Sequence, residues 1–507
     1  MKPERRAGHA LLALLLILLI FHAAGVCLDF GMAIRYPFEL DYGEGIVWYQ
    51  AELIPGPRMY ARSQELPFIV FHYPPVYHLL ARAARVFEPD FMAAGRLVSA
   101  LATLLIAPLV MGLVLVASRQ PGRRLSRFDA VIAAVAGLLV LCLHAVRAWG
   151  LLMRVDMVAI ALCMAGLLVA TLANGRFLGT ALALLLCVAA VFTKQTQLPA
   201  GVAVFLFALW RNPKAALGAA VVAGGTGLAA VGLMQHLTDG GFLQNIVASN
   251  INRIGLRHAF WVFWPERFGA GLMLLMVVAA PVLLASLLPA VRRMEWSGAV
   301  REFWALRQTD RATGCWALML LHFALASLLL PTSFKSGGSF NYLLEWLSSG
   351  GVLLGILLIH LARTEAWRGW AYPAVLAVMV LTTAIQPFQA VPYLTDAALL
   401  ARQKALVDRI ARAGKPVASD DMVLLMRAGK TVYFEPSIVT ELASVGRWDE
   451  AKLVEMIRSG GFAFIIVNDE TVGATPHRTA AMDTAMREAY PRVEYAGPRL
   501  WLNLPRE

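Results

Sequence analysis

Long apolar runs separated by short polar segments fill most of the first 390 residues of this 507-residue chain. A hydrocarbon core of about 30 Å needs roughly 20 apolar residues of helix, at about 1.5 Å of rise each, to cross it. By that measure eleven runs are candidates for membrane-spanning helices, and two of them are short enough to be tilted or re-entrant (177–192 and 197–210). The eleven runs are 9–28, 96–117, 128–145, 155–173, 177–192, 197–210, 215–236, 267–290, 314–331, 341–361 and 370–386.

Two stretches lack such runs: the loop 29–95 and the tail 391–507. The tail alternates helix-like and strand-like patterns, which is typical of a small α/β domain. Its predicted helices are Asp396–Ala413, Asp449–Ser459 and Arg478–Tyr490, and its predicted strands are Pro416–Ser419, Thr431–Phe434, Phe462–Asn468 and two near Val493 and Leu500. We therefore expect a polytopic α-helical membrane protein, with a module over 1–390 that includes the loop, and an α/β domain over 391–507.

Composition agrees with this pattern. Hydrophobic residues make up 59% of the chain and charged residues 15%, and the mean hydropathy is +0.64. Soluble domains have about 25% charged residues, so the composition disfavours an ordinary cytosolic enzyme. The five cysteines lie in or beside apolar runs and show no Cys-x-x-Cys spacing, so neither a disulfide framework nor a zinc site is predicted.

The net charge of +12 gives the orientation. If the N-terminus is cytoplasmic, the inner segments between runs hold 17 Lys and Arg residues and the short outer segments hold six. This asymmetry follows the positive-inside rule and places the loop 29–95 and the tail on the outer face. The tail itself holds 15 basic and 15 acidic residues. The excess charge therefore reports topology and does not indicate nucleic-acid binding.

The first run follows Lys2, Arg5 and Arg6, which is also how a secretory signal begins. Its apolar core is longer than the usual 7–15 residues of such a signal. We therefore expect an uncleaved membrane anchor.

Two acids lie near the start of the outer loop. Asp41 and Glu44 are three residues apart, so they would share one face of a helix that begins there. One interpretation is a capping box, with Asp41 as the N-cap and Glu44 as the third helical residue. The other is a functional acid pair, because a long outer loop lies against the mouth of the membrane module.

His72 and Tyr73 precede the pair Pro74-Pro75, which stiffens the chain before the amphipathic stretch 76–86. These two side chains could anchor the loop at the membrane interface, as aromatic residues commonly do, or they could bind a substrate.

Further ionisable and polar residues lie at the predicted outer ends of the runs. Such residues are costly at this depth unless they are paired, hydrated or functional. Snorkelling to the interface could explain the lysines, and a helix–helix hydrogen bond could explain Glu345. The alternative is a phosphate site, because Arg grips phosphate bidentately and Lys acts as a point charge. These residues are Arg154, Asp156, Lys194, Gln195, Lys335, Asn341 and Glu345.

Together these motifs resemble the GT-C superfamily of membrane glycosyltransferases. They are most similar to the bacterial branch that uses polyprenyl-phosphate sugars, which includes the protein O-mannosyltransferases and the lipid A aminoarabinose transferase. The ordered motifs are Asp41-x-x-Glu44-Gly45, Tyr73-Pro74-Pro75, Met153-Arg154-Val155-Asp156-Met157, Thr193-Lys194-Gln195-Thr196 and Lys335-Ser336-Gly337-Gly338-Ser339-Phe340-Asn341-Tyr342-x-x-Glu345. The family often has adjacent Asp-Glu, whereas two residues intervene here, so the resemblance leaves open which acid is the base.

The resemblance implies an inverting transfer of one sugar from a polyprenyl-phosphate donor to a hydroxyl of an envelope glycan, lipid or protein. It also implies a multi-pass protein of the bacterial inner membrane whose tail is periplasmic. The expected catalytic acids are Asp41, Glu44 and Asp156, and the expected donor phosphate ligands are Arg154, Lys194 and Lys335. The expected substrate contacts are His72, Tyr73, Gln195, Asn341 and Glu345. No cofactor is required by this chemistry, although a divalent cation could bind Asp41 and Asp156 through oxygen ligands.

The chemistry needs these residue types. Fixed cations stabilise the negative charge that grows on the leaving lipid phosphate, and a carboxylate removes the proton of the attacking hydroxyl. The rival hypothesis is a transporter or flippase of a lipid-linked or small polar substrate, which eleven spans allow. Against it, polar residues gather at one surface and the predicted midplane is apolar. We expect the tail to tune acceptor choice.

Overall fold

The computed structural model describes residues 3–62, 64–250, 269–335, 338–364, 369–468, 477–497 and 500–506. Part of the predicted outer segment after residue 250, the first residues of the run 267–290, and Ser336 and Gly337 lie outside them. The helices of the first 390 residues are α1 (Pro3–Arg35), α2 (Gly43–Leu53), α3 (Val76–Ala84), α4 (Phe91–Ala117), α5 (Arg127–Cys142), α6 (His144–Gly150), α7 (Asp156–Ala173), α8 (Phe177–Val191), α9 (Pro199–Arg211), α10 (Pro213–Leu237), α11 (Gly241–Leu243), α12 (Ala270–Leu287), α13 (Pro289–Arg292), α14 (Trp296–Ala305), α15 (Arg311–Leu329), α16 (Leu344–Arg363) and α17 (Ala371–Ala384).

Each of the eleven apolar runs corresponds to a helix or to a bent helix pair. Seven helices within the described residues are long and apolar enough to cross a bilayer, and α5 with α6 forms a further span bent by 62°. The remaining runs correspond to the shorter apolar helices α8, α9 and α17. The two runs predicted to be short are confirmed as helices of 15 and 13 residues. The chain is a multi-pass membrane protein.

Helix α16 is the central helix of the bundle, with 94% of its apolar window buried. It packs against α4, α5, α12 and α15. Small residues allow this close approach: a Cβ at Gly351 would lie 2.2 Å from a methyl group of Val140 on α5. The opposite case is α10, of whose apolar window only 11% is buried, so that most of its surface is left for lipid.

The outer loop is largely ordered by its neighbours. Helix α1 continues to Arg35, so residues 29–35 of the predicted loop are helical. The predicted amphipathic stretches after Gly45 and Pro75 form α2 and α3. Arg96 of α4, which is fully buried, donates to the carbonyls of Ala33, Tyr36 and Phe38 at 2.6–2.7 Å. This cation binds carbonyls at and just beyond the end of α1 and so fixes the start of the loop.

The tail forms the expected α/β domain. Its strands make one sheet in the order β1-β2-β4-β3, in which β1 and β2 are parallel and the other pairs are antiparallel. Ala418 of β1 lies opposite Ile465 of β2. The elements are α18 (Ala397–Arg412), β1 (Ala418–Ser419), α19 (Met422–Arg427), α20 (Pro436–Ser444), α21 (Ala451–Arg458), β2 (Ile465–Asn468), α22 (Ala480–Ala489), β3 (Arg492–Gly497) and β4 (Leu500–Leu504).

One predicted strand is wrong. The segment Thr431–Phe434 makes a single parallel bridge, between Phe434 and Phe68 of the outer loop, and Phe68 donates its N–H to the Tyr433 carbonyl at 2.7 Å. An extended segment needs a continuous neighbour to become a strand, and here the loop supplies one residue. Helices α19 and α20 were not predicted.

The outer loop and the tail domain share their interior. Phe68 and Val70 of the loop belong to the same apolar cluster as Ile438 and Trp448 of the tail. Arg427 of the tail forms an ion pair with Asp90 beside α4. The loop and the domain therefore pack as one layer over one end of the membrane bundle.

Candidate functional site

The centre of the site is an ion pair between the loop and the segment before α7. Arg154 Nη1 lies 3.0 Å from Asp41 Oδ1, and the same oxygen accepts the Gly43 N–H at 3.0 Å. Within the described residues every contact of this carboxylate uses Oδ1, and the side chain is 34% exposed. Asp41 therefore combines a fixed orientation with an oxygen that is available to a ligand.

Gly43 is required by this pairing. A Cβ added at this residue would lie 1.0 Å from Arg154 Nη1. Only glycine leaves room for the guanidinium at the beginning of α2.

Glu44 has a different environment. Its side chain is fully buried, and Arg96 donates to both of its oxygens, at 2.8 and 2.7 Å. The N–H groups of Leu40 and Met153 complete its shell at 2.7 Å each. This geometry favours a positioning role for Glu44. Neither a shared helix face nor the predicted capping box is present, because α2 begins at Gly43 and Asp41 lies before it.

Asp156 is the second acid of the site and begins α7. It is 1% exposed, and its Oδ1 accepts from Lys194 Nζ at 2.5 Å and from Asn341 Nδ2 at 2.9 Å. Its Oδ2 accepts the Trp149 indole N–H at 2.9 Å. Arg154 and Asp156, two residues apart, have separate partners. Lys194 is 4% exposed and paired, so it does not snorkel to the interface.

Tyr342 holds the two lysines together. Lys194 Nζ lies 4.9 Å from the centre of its ring, and Lys335 Nζ lies 5.3 Å from the same point. Lys335 is half-buried, and within the described part of the chain its ammonium group contacts the ring of Tyr342. A cation over an aromatic face is held without losing its charge, so Lys335 stays available for an anion.

The substrate residues predicted on the loop also lie here. Arg154 Nη2 is 3.4 Å from the Tyr73 hydroxyl, and Gln195 donates to the His72 carbonyl at 2.8 Å. His72 Nε2 points to the tail domain, 3.5 Å from Glu435 Oε2. The site therefore joins the loop, the bundle and the tail.

Glu345 lies apart from the Asp156 cluster. It accepts from His322 Nε2 at 2.9 Å and from the Ala200 N–H, at the beginning of α9, at 3.2 Å. His322 also contacts Ser349. Asn341 lies in a 3₁₀ turn, and Glu345 in α16, so the two are not on one helical face. The helix–helix hydrogen bond that we considered for Glu345 accounts for its contacts.

The two acids that we considered as ligands of a divalent cation are each paired with a cation of the chain. Asp41 and Asp156 each bind a cation of the chain through Oδ1. Among the residues that the structure describes, no group of three or more His, Cys, Asp or Glu side chains is placed to hold a metal ion.

Three residues of the site were missed in the sequence. Arg96 could have been found, because an arginine at the beginning of an apolar run needs a partner. Tyr342 lies within a quoted motif, but its position between two lysines depends on the fold. Glu435 gave no signal, since it lies 393 residues from Tyr42, which donates its hydroxyl to the Glu435 carboxylate.

Burial and pairing set the proton affinity of the acids between the loop and the tail. Burial, together with the nearby carboxylate of Asp421, raises the pKa of Glu39 well above its usual value. Burial raises the pKa of Asp421 to about 6. Burial also acts on Glu435, but the nearby His72 imidazole and the hydrogen bond from Tyr42 outweigh it and lower the pKa of this carboxyl. The interface between the loop and the tail therefore contains acids whose pKa values are shifted in opposite directions.

Comparison with known proteins identifies the fold. Neither a family model nor a curated protein matches the chain. The crystal structure of ArnT from Cupriavidus metallidurans bound to undecaprenyl phosphate matches with a TM-score of 0.54 and 15% identity, over 96% of this chain and 97% of that one. The apo structure of the same protein matches with a TM-score of 0.50 and 15% identity, over 95% and 96%. The chain therefore shares the fold of these two ArnT structures over nearly its whole length, in agreement with the resemblance that its ordered motifs indicated.

Proposed function

We propose that the protein is an inverting glycosyltransferase that moves one sugar from a polyprenyl-phosphate donor to a hydroxyl of an envelope glycan, lipid or protein. The observation that carries the proposal is a partly exposed acid, Asp41, paired with Arg154 at one end of the bundle. Two lysines lie at the same end, Lys194 paired with Asp156 and Lys335 over the ring of Tyr342. The undecaprenyl phosphate in the similar ArnT structure supports a lipid donor.

In this mechanism Asp41 is the general base. It accepts the proton of the acceptor hydroxyl as the hydroxyl oxygen bonds to the anomeric carbon of the sugar. The bond between that carbon and the phosphate oxygen breaks, and the electron pair leaves with the polyprenyl phosphate. Asp41 is favoured over Glu44 because Glu44 is enclosed by four donors.

Arg154 and Lys335 are the proposed phosphate ligands. Arg154 Nε is buried and has no hydrogen-bond partner in the described residues, and Lys335 is held on the face of Tyr342. Fixed donors in a water-poor site stabilise the charge that grows on the leaving phosphate. Asp156 holds Lys194 in place and so serves the same phosphate site indirectly. The reaction as proposed uses no metal step.

Orientation is the second part of the proposal. The arginine and lysine asymmetry supports a cytoplasmic N-terminus, and we propose that the tail domain lies on the outer face of a bacterial inner membrane. The site would then open to the periplasm, where lipid-linked donors and envelope acceptors meet. Cysteine labelling from outside intact cells at Lys452→Cys in the tail and at Arg301→Cys in α14 would test this. We expect labelling of the tail alone.

The activity test uses purified protein in nanodiscs, a panel of labelled undecaprenyl-phosphate sugars and an envelope extract as acceptor. We expect label in the extract, released undecaprenyl phosphate, and a loss of about 10²–10⁴-fold in Asp41→Asn. The matched control is Glu65→Gln, an exposed acid of the same loop. Full transfer by Asp41→Asn would remove the assigned base, and uptake of the labelled lipid without transfer would favour the transporter.

A further inference from the structure

Glu435 is an acid of the tail domain, far along the chain from Asp41, that reaches the site loop. It is 1% exposed at the beginning of α20, where it accepts the N–H groups of Ser437 and Ile438 at 3.0 and 2.9 Å. These bonds fix its carboxylate to a helix of the tail domain. Its remaining contacts go to the outer loop.

Two dipeptides of the loop connect Glu435 to Arg154. In the first, Tyr42 donates its hydroxyl to Glu435, and its neighbour Asp41 binds Arg154 at 3.0 Å. In the second, His72 Nε2 lies 3.5 Å from Glu435, and its neighbour Tyr73 lies 3.4 Å from Arg154 through its hydroxyl. The contacts form a closed ring with Glu435 at one end and Arg154 at the other.

The ring fixes side chains that would otherwise be free to move. Asp41 lies before α2, in a turn, and its own side chain is 34% exposed. Tyr42, in contrast, is held by its bond to Glu435 and by stacking on His477 of the tail, with ring centres 4.6 Å apart. Because adjacent residues move together, holding Tyr42 also limits the position of the Asp41 carboxylate.

We propose that Glu435 is a positioning residue, through which the tail domain sets the geometry of Asp41 and Tyr73 against Arg154. This inference rests on the proposed role of Asp41 as the base. The tail domain then contributes to the rate of transfer through the Tyr42 and His72 contacts, and its removal would loosen the loop even if the acceptor does not touch it. Misplacing a reacting group by about 1 Å can cost about 10²-fold in rate.

The experiment compares Glu435→Gln, Tyr42→Phe and the double variant with wild type in the nanodisc transfer assay. We expect each single variant to lower kcat about tenfold or more, with little change in the KM for the lipid donor, because Lys335 and Arg154 remain. We expect the double variant to resemble the more damaged single variant, since both substitutions break the same connection.

The matched control is Lys452→Ala. This substitution removes the ion pair between Lys452 of the tail domain and Glu65 of the outer loop. The two side chains are 66% and 70% exposed. Such an exposed pair contributes little, so we expect wild-type kcat.

A purely structural role predicts a different pattern. Folded yield and kcat would then fall together, and the losses of the two single variants would multiply in the double variant; either result would overturn the proposal. Wild-type kcat in both single variants would also overturn it. Wild-type transfer by Asp41→Asn would instead show that the proposed base is wrong, so the two failures are distinguishable.

Discussion

Two acids of the outer loop, Asp41 and Glu44, lie only three residues apart, and each is paired with an arginine of the bundle. The two pairs have opposite environments. Glu44 and Arg96 are both fully buried, and the carboxylate accepts from four donors. Asp41 and Arg154 are 34% and 13% exposed, and their contact uses a single carboxylate oxygen. The comparison shows that an acid–arginine pair can stabilise the fold or can form an open reaction site. The difference depends on how many carboxylate lone pairs and guanidinium N–H groups are already hydrogen-bonded within the protein.

The Glu44–Arg96 pair also explains why Asp41 can be open. Arg96 binds the end of α1 and Glu44 at once, so it determines where the loop leaves the membrane. The cost of burying two charges is offset here because both groups are hydrogen-bonded on every side. Because the Glu44–Arg96 pair fixes the start of the loop, the neighbouring Asp41 can stay partly exposed without becoming mobile.

We expect the largest effect from a substitution that breaks the buried Glu44–Arg96 pair. Glu44→Ala leaves the Arg96 guanidinium buried without its acid, and removing one partner of a buried pair costs about 3–5 kcal/mol. We expect a strong loss of folded protein in fluorescence-detected size exclusion. Asp41→Ala is the matched variant, and we expect it to give near-normal folded yield because its pair is part exposed. Equal yields for the two variants would contradict the distinction.

The next effect concerns the space that Arg154 occupies. Gly43→Ala places a methyl group where the guanidinium lies, so Arg154 must move away from Asp41. We expect transfer activity to fall about 10–100-fold with a modest change in melting temperature. Gly429→Ala is not a suitable control because its φ is positive, whereas Gly31→Ala on α1 has open space at its Cβ. Wild-type activity in Gly43→Ala would show that Arg154 need not contact Asp41.

The two lysines beside Tyr342 provide a comparison of similar size. Lys335→Met should raise the KM or Kd for undecaprenyl phosphate by about 10-fold, which corresponds to about 1.4 kcal/mol, and leave stability unchanged. Lys194→Met should lower stability as well, because it leaves the buried Asp156 carboxylate without its cation. Lipid titration followed by thermal unfolding in nanodiscs measures both quantities. If the two variants lost lipid affinity and stability equally, the assignment of separate roles would be wrong.

The smallest expected effect concerns Asp421 and Glu435, two acids of the tail domain whose pKa values are shifted in opposite directions. The pKa of Asp421 is raised to about 6 by burial, so the stability that its protonated form provides is lost as the pH rises from about 4 through 6. Asp421→Asn keeps the cap on the Leu424 N–H and should be more stable than wild type at pH 7.5 and similar at pH 4.

Glu435→Gln should show the reverse. The pKa of Glu435 is lowered, so its ionised form contributes stability that is present above its usual pKa and is lost as the pH falls. Its melting temperature should therefore be below wild type at pH 7.5, and the difference should shrink as the pH falls below the usual pKa of a glutamate carboxyl. Melting curves over this pH range test both variants, and parallel pH profiles for wild type and the two variants would contradict the opposite shifts.

The apolar pattern predicted most of the membrane module. Runs of the length of the bilayer must form helices, because no water is present there to satisfy the backbone, so each of the eleven runs is helical. The tail elements were predicted where their pattern was local, as in Asp396–Ala413, which forms α18. The Thr431–Phe434 prediction was wrong because its single bridging neighbour, Phe68, is remote in sequence.

The candidate site was predicted as a set of residue types at one face. Asp41, Arg154, Asp156, Lys194 and Asn341 do lie together, since each lies at the end of a helix or within three residues of one. The sequence could not separate Glu44 from Asp41, because their spacing is compatible with one shared environment. Their burial depends on Arg96 and on the Met153 backbone, which only packing brings near.

The sequence by itself therefore determined where the eleven apolar helical runs lie and which charges collect near their ends, because hydrocarbon thickness and backbone satisfaction act on each run separately. The tertiary structure alone decided which acid is enclosed and which is open, and that Glu435 reaches the loop at Tyr42. Those properties depend on pairwise distances between distant residues, and a buried carboxylate takes its role from the donors that surround it.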